Sequence, residues 1–221
     1  MQADREGMDR GRIAKGQKMV AVGAAAGIAA PILFTLLVIA QGLRHPDYSH
    51  TALAVSALAA WPGGWIQNLN FVATGLLMIA FALGLHCGIR PGRGGAVGPA
   101  LLALGGIGLV VAGLFPWRLT EGAFIVPAGH VVGAVLSFLS TAGGFVVVSW
   151  RMAGDPASHR LSVYVFATGI AIIALFLIFG IYVRPPNAPL HPWLGLVQRV
   201  TVAVWFVCTL VLAIRLLRIL R

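Results

Sequence analysis

The stretch FIVPAGHVVGAVLSFLSTAGGFVVVSW, Phe124 to Trp150, contains no Asp, Glu, Lys or Arg and one titratable side chain, His130. A helix of this length exceeds the hydrocarbon core of a bilayer, about 30 Å, which about 20 residues cross at 1.5 Å per residue. Barrel strands alternate over about 10 residues, and this run is too long and too continuous for one. Its solvent is therefore lipid.

Working outward, five further apolar runs have comparable length: Val20 to Gln41, Trp65 to Leu85, Ala96 to Phe115 and Leu161 to Val183, all uncharged, and Leu194 to Ile214, whose one charge is Arg199. The composition agrees, with 59% hydrophobic residues, 10% charged and a mean hydropathy of +0.91, far from the roughly one-quarter charged residues of soluble domains. The expected fold class is all-α: a polytopic membrane bundle of six transmembrane helices over residues 19–221, behind a basic tail, residues 1–18, expected to be disordered. The first span is longer than a signal-peptide core and lacks a cleavage site, so it is expected to stay as a helix. Pro31 within it predicts a kink.

The net charge is +10. In a soluble chain such a surplus suggests nucleic acid, but here topology accounts for it. With six spans the termini share a side, and twelve of the 16 Lys and Arg fall there; Arg44, Arg118, Arg184 and Arg199 fall opposite. The positive-inside rule then expects a multi-pass protein of the cytoplasmic (inner) membrane with both termini in the cytoplasm. Its basic groups can meet anionic lipid headgroups. Membrane lipids are the expected partners, nucleic acid is not, and no feature points to a protein partner.

Cys87 and Cys208 provide no disulfide framework and read as free thiols. Gly23 and Gly27, the group Gly105, Gly106, Gly108 and Gly113, and the pair Gly129 and Gly133 lie where helices can approach closely. The longest loop, Gly42 to Gly64, holds TALAVSALAA, too short to span and expected to be a re-entrant or interfacial helix. Trp61, Trp65, Trp117 and Trp193 fall at the outer boundary, as an aromatic belt does.

The polar side chains concentrate at that same boundary. His130 lies about one helical turn below the start of its span, Arg199 at a similar depth in the last span, and Asn68 and Asn70 enter the second from the same side. Above them stand His45, Asp47, Tyr48 and His50 in loop one, Glu121 in loop three, and Arg184 and His191 in loop five. A polar group inside a span normally faces the bundle or a wet cavity and finds a partner there. Haem does not fit, because no two histidines on facing spans share a level. His45, Asp47, His50, His130 and His191 are of zinc-ligand type, yet without H-x-x-x-H or H-E-x-x-H spacing. No cofactor or metal is therefore expected. Nucleotide loops and nucleophile elbows are absent, and the span interiors lack the acids of a proton or cation relay.

The series PILF, QGLRHPDYS, GGWIQNLNFVATGLL, ALGL, GLVVAGLFP, GHVVGAVLSF and QRVTVAVW resembles, in order and spacing, the six-helix bacterial and archaeal membrane family called domain of unknown function 998, over nearly the whole chain after residue 18. The resemblance implies the six-span fold and leaves function open. Matching positions include Pro31, Gly42, Tyr48, Ser56, Asn68, Gly75, Gly113, Phe115, Pro116, His130 and Arg199. The family pattern places an acid after the serine of loop one and another after the Phe-Pro of loop three; Ala57 and Trp117 stand there in this chain. If an acid assists His130, it must be Glu121 or Asp47.

These residues lead to an expected polar cavity opening toward the outer leaflet, lined by Asn68, Asn70, His130 and Arg199, with Tyr48, Asp47 and Glu121 at its mouth. Such a site suits a lipid-like or isoprenoid amphiphile, its tail among the helices and its head on the polar groups. Two readings stand side by side. In one the protein binds or handles the amphiphile, or serves as an accessory subunit, without chemistry. In the other His130, assisted by Glu121 or Asp47, is a general acid or base in cyclisation of an isoprenoid or hydrolysis of a lipid ester, with Asn68, Asn70, Arg199 and Tyr48 as binding groups.

Overall fold

The computed structural model describes residues 2–89 and 95–220, with side chains from residue 14 onward. Its helices are α1 (Gln2–Arg44), α2 (Trp65–Gly88), α3 (Val97–Leu114), α4 (Ala128–Ala153), α5 (His159–Ile178), prolonged by a π-helical turn Phe179–Val183, and α6 (Leu194–Ile219). Six helical segments are long and apolar enough to cross a membrane: Ala14–Arg44, Trp65–Gly88, Val97–Leu114, Ala128–Ala153, Pro156–Val183 and His191–Ile219. The chain is an all-α bundle of six such helices. Its outward faces carry exposed large apolar residues such as Leu36, Leu76 and Val132, as lipid-facing surfaces do.

Consecutive helices pack side by side from α1 to α5, and α6 closes the bundle against α1, α2 and α5. Close approach depends on glycine at the crossings. A Cβ on Gly23 of α1 would stand 2.5 Å from the Gly84 Cα of α2, and one on Gly75 would stand 2.5 Å from the Gly106 carbonyl oxygen of α3. At the α3–α4 crossing, Gly133 is equally tight against the Ala112 backbone, as its place in the glycine series predicts. Phe81, Phe145, Met78 and Trp205 fill the centre and are essentially fully buried.

α1 is helical from Gln2, and its apolar span begins at Ala14. Two elements differ from expectation. Phe124, expected to open the fourth span, instead belongs to a hairpin of β1 (Arg118–Thr120) and β2 (Ala123–Ile125). Its turn places Glu121 and Gly122 at φ 52° and 80°, the left-handed pair that matches the twist of a two-residue hairpin, and α4 starts only after Pro127. Loop one contains no interfacial helix lying free on the surface. Only Val55–Ala60 is helical, as a 3-10 turn, with Val55, Ser56, Ala57 and Leu58 buried. It touches α1, α2, α6 and β1, and so forms a hood over one end of the bundle.

Candidate functional site

The hood is fastened from two sides. On α6, Gly195 has no side chain to hold off the Leu53 and His50 carbonyls, and the Leu196 amide donates to the Thr51 carbonyl at 2.9 Å. Gln198 Oε1 accepts from the Val55 amide at 2.8 Å. Arg199 Nη1 donates to the carbonyls of His50 at 2.6 Å, Leu53 at 3.0 Å and Gly195 at 2.9 Å; Nη2 bonds the Tyr48 hydroxyl and reaches His50 Nδ1 at 3.2 Å. These partners are all neutral acceptors. They solvate the guanidinium without cancelling its charge, and Nε–H takes part in none of these bonds.

Tyr48 is buried under the hood, with its hydroxyl also donating to the Ala54 carbonyl at 3.1 Å. Burial raises the Tyr48 pKa above the ordinary phenol value, an effect that Arg199 partly reverses. Burial and then the Arg199 charge hold the His50 imidazole below its ordinary range. With Arg199 donating to Nδ1, the proton of the neutral His50 ring sits on Nε2.

From α4, His130 rises to the underside of the hood and is 5% exposed, so both its nitrogens need partners from the protein. Nδ1 lies 2.9 Å from the Ala112 carbonyl oxygen and Nε2 lies 2.9 Å from Ser56 Oγ. A carbonyl only accepts, so in the neutral ring Nδ1 carries the proton and Nε2 accepts from the Ser56 hydroxyl. Phe71 and Trp117 meet the ring edge to face at 5.9 Å each. Trp117 packs in turn on Phe124, which meets Trp61, which stacks on His45. Trp61 and Trp117 thus build a lid, whereas Trp65 and Trp193 point outward as belt residues do.

Two spaces adjoin the hood. One is a small internal cavity of about 40 Å³ whose lining includes His130, Ser56, Ser137, Gln198 and Trp205. Ser137 Oγ and Trp205 Nε1 are buried without a hydrogen-bond partner among the described residues. The other is a groove of about 430 Å³ between α1 and α6, apolar along Pro31, Val38, Val202 and Val207, with His50 and Arg199 as its polar residues at the hood. Phe34, Val55, Val202 and Phe206 line both, so they form the wall between them. A larger cleft of about 1050 Å³ lies at the opposite end, beside Arg151 and Arg215, and contains none of the expected site residues.

The expected site residues therefore divide. His130, Tyr48 and Arg199 all converge on loop one, but His130 and Arg199 meet through its backbone, not in one cavity. Asn70 turns away toward α1, donating to the Phe34 carbonyl at 3.2 Å, and Asn68 Oδ1 is buried without a hydrogen-bond partner among the described residues. Asp47 and Glu121 are exposed, line neither space and do not bond His130. Glu121 sits exposed in the left-handed turn of the hairpin.

Gln198 and the Gln41–Gln67 bond (2.9 Å) between α1 and α2 were not singled out from sequence. The spacing of Gln67, Asn70 and Thr74 on one buried face of α2 was a usable signal. Ser56 was named as a position matching the family pattern, but no local signal pairs it with His130, which is 74 residues away. Among the described residues no group of three or more His, Cys, Asp or Glu stands where it could hold a metal ion.

A six-helix membrane bundle capped at one end by a short hood, with histidine and arginine bonded to that hood, is the class of protein this geometry defines. Residues 28–215 match the family model described as protein of unknown function (DUF998), and the chain belongs to that family. No curated protein and no solved structure matches it.

Proposed function

We propose that this is a lipid-handling protein that holds an amphiphile with an anionic, phosphate-bearing head in the groove between α1 and α6. The tail lies along Pro31, Phe34, Val38 and Phe206; the head meets His50 and Arg199. The observation that carries this reading is the charge of Arg199: a guanidinium beside an apolar groove, bonded wholly to neutral groups. Charges at membrane depth are normally paired. A lipid phosphate supplies the missing negative charge, and the open Nε–H offers it a charge-assisted bond.

The excess of Lys and Arg on the terminal side supports cytoplasmic termini, which puts the hood and the groove's polar end at the outer leaflet of the inner membrane. The test is mass spectrometry of lipids that co-purify with the protein. Val207→Phe narrows the groove from an exposed lining position about two helical turns from Arg199, and Arg199→Gln removes the charge. Each is expected to deplete a specific phosphate-bearing lipid relative to bulk by roughly tenfold, equivalent to about 1.4 kcal/mol of affinity. Identical extracts from all three proteins would overturn the reading.

A further inference from the structure

We propose that Ser56 and His130 form a nucleophile–base pair for acyl transfer, with carboxylic esters of phosphate-headed lipids as the substrate class. This rests on the lipid reading above and goes beyond it by assigning chemistry to a second space. Ser56 Oγ donates to His130 Nε2 at 2.9 Å, and Nδ1–H is held by the Ala112 carbonyl at 2.9 Å. The Ala112 carbonyl thus does what an orienting carboxylate does in a serine hydrolase: it fixes the tautomer that leaves Nε2 free to take a proton. Whatever acid the family pattern places near this histidine, neither Asp47 nor Glu121 is needed for that task.

The surroundings fit the chemistry. The cavity beside the pair, about 40 Å³, admits at least one water, which requires about 10–15 Å³. Trp205 Nε1–H and Ser137 Oγ–H, both buried on residues that line this cavity, have no partner among the described residues. Unpartnered donors at a buried polar site are costly unless used. Here they are the candidates for holding the oxyanion of a tetrahedral intermediate. Groove and cavity share the wall made by Phe34, Val55, Val202 and Phe206, in which the two phenylalanine rings meet edge to face at 5.3 Å. In a glycerophospholipid the ester carbonyls lie a few bonds below the phosphate. A lipid whose head is at Arg199 therefore brings an ester to that wall, and displacement of the Phe34–Phe206 contact admits it to Ser56.

In the first step Ser56 Oγ attacks the ester carbonyl carbon while His130 Nε2 takes the hydroxyl proton. The intermediate collapses with cleavage of the ester C–O bond, and the imidazolium returns the proton to the departing alcohol, leaving an acyl-serine. Water, deprotonated by His130, then attacks the acyl carbon. The carboxylic acid leaves and Ser56 regains its proton, so nothing is oxidised or reduced.

The experiment is covalent labelling of the full-length protein in nanodiscs with a long-chain alkyl fluorophosphonate, read by peptide mass spectrometry. The expected result is an adduct on Ser56 in the unaltered protein, none on the corresponding peptide in Ser56→Ala, and labelling slowed about 100-fold or more in His130→Gln, the loss typical of removing a general base. Absence of the Ser56 adduct, in nanodiscs where a known serine hydrolase is labelled, overturns the proposal. So does labelling of a folded His130→Gln protein at the unaltered rate, which reduces the contact to a structural tie. The probe has no anionic head and needs no copurifying lipid, so this result and the lipid extracts can fail independently.

Discussion

At the scale of single residues, Arg199 shows why the type of cation matters. Its fork reaches three carbonyls with one nitrogen and Tyr48 and His50 with the other, a spread that a lysine ammonium with three donors on one atom does not span. Arg199→Lys is expected to keep the charge yet lower stability by about 1–3 kcal/mol through unpaired carbonyls, measured as a drop in thermal midpoint. His50 makes the hood sensitive to pH. Its pKa is lowered on folding, so the unfolded chain takes up the proton first, and stability that is complete above the ordinary imidazole pKa of about 6.5 declines as pH falls through it. Hydrogen-exchange protection factors of residues 48–58, taken relative to the intrinsic rate at each pH, should fall between pH 7 and pH 5.5, and His50→Gln should remove that dependence. Glu121 is the opposite case, a candidate acid that sits exposed in the hairpin turn. Glu121→Asn places a residue more tolerant of left-handed φ in the turn and should leave lipid extracts and Ser56 labelling unchanged while raising the thermal midpoint slightly.

At the scale of elements, the bundle depends on crossings where backbones touch. Gly84→Leu inserts a branched side chain where even a Cβ on the facing Gly23 would meet backbone, so α1 and α2 must separate. The expected outcome is loss of at least about 1–3 kcal/mol, seen as aggregation or a lowered midpoint in detergent, whereas Leu76→Ala on the exposed face of α2 should be near neutral. The spans and their glycines were legible beforehand because hydrocarbon forces every backbone group into a helix and lets helices approach only over small residues. Loop one and the hairpin were not. Their form depends on partners outside their own sequence, as the bond from Val55 to Gln198 across 143 positions shows.

At the scale of the whole molecule, the hood connects α6 to α4 and so makes one polar end out of side chains from opposite sides of the bundle. Cysteine accessibility tests the proposed orientation of this end toward the outer leaflet. With Cys87 and Cys208 replaced by Ser, Thr120→Cys on the exposed hairpin should react with an impermeant maleimide in intact cells, and Gly154→Cys at the other end only after lysis.

The linear chain determined the membrane class, the six helices, their glycine contacts and the places of His130 and Arg199 in the opening turns of their helices, because each of these follows from local hydrophobicity and residue size. Only the tertiary structure decided that His130 pairs with Ser56, that Arg199 lies on a groove separate from the histidine's cavity, and that Asp47 and Glu121 face outward. Those are questions of direction, and a side chain's direction is set by which distant carbonyl or hydroxyl completes its hydrogen bonds once the helices have packed.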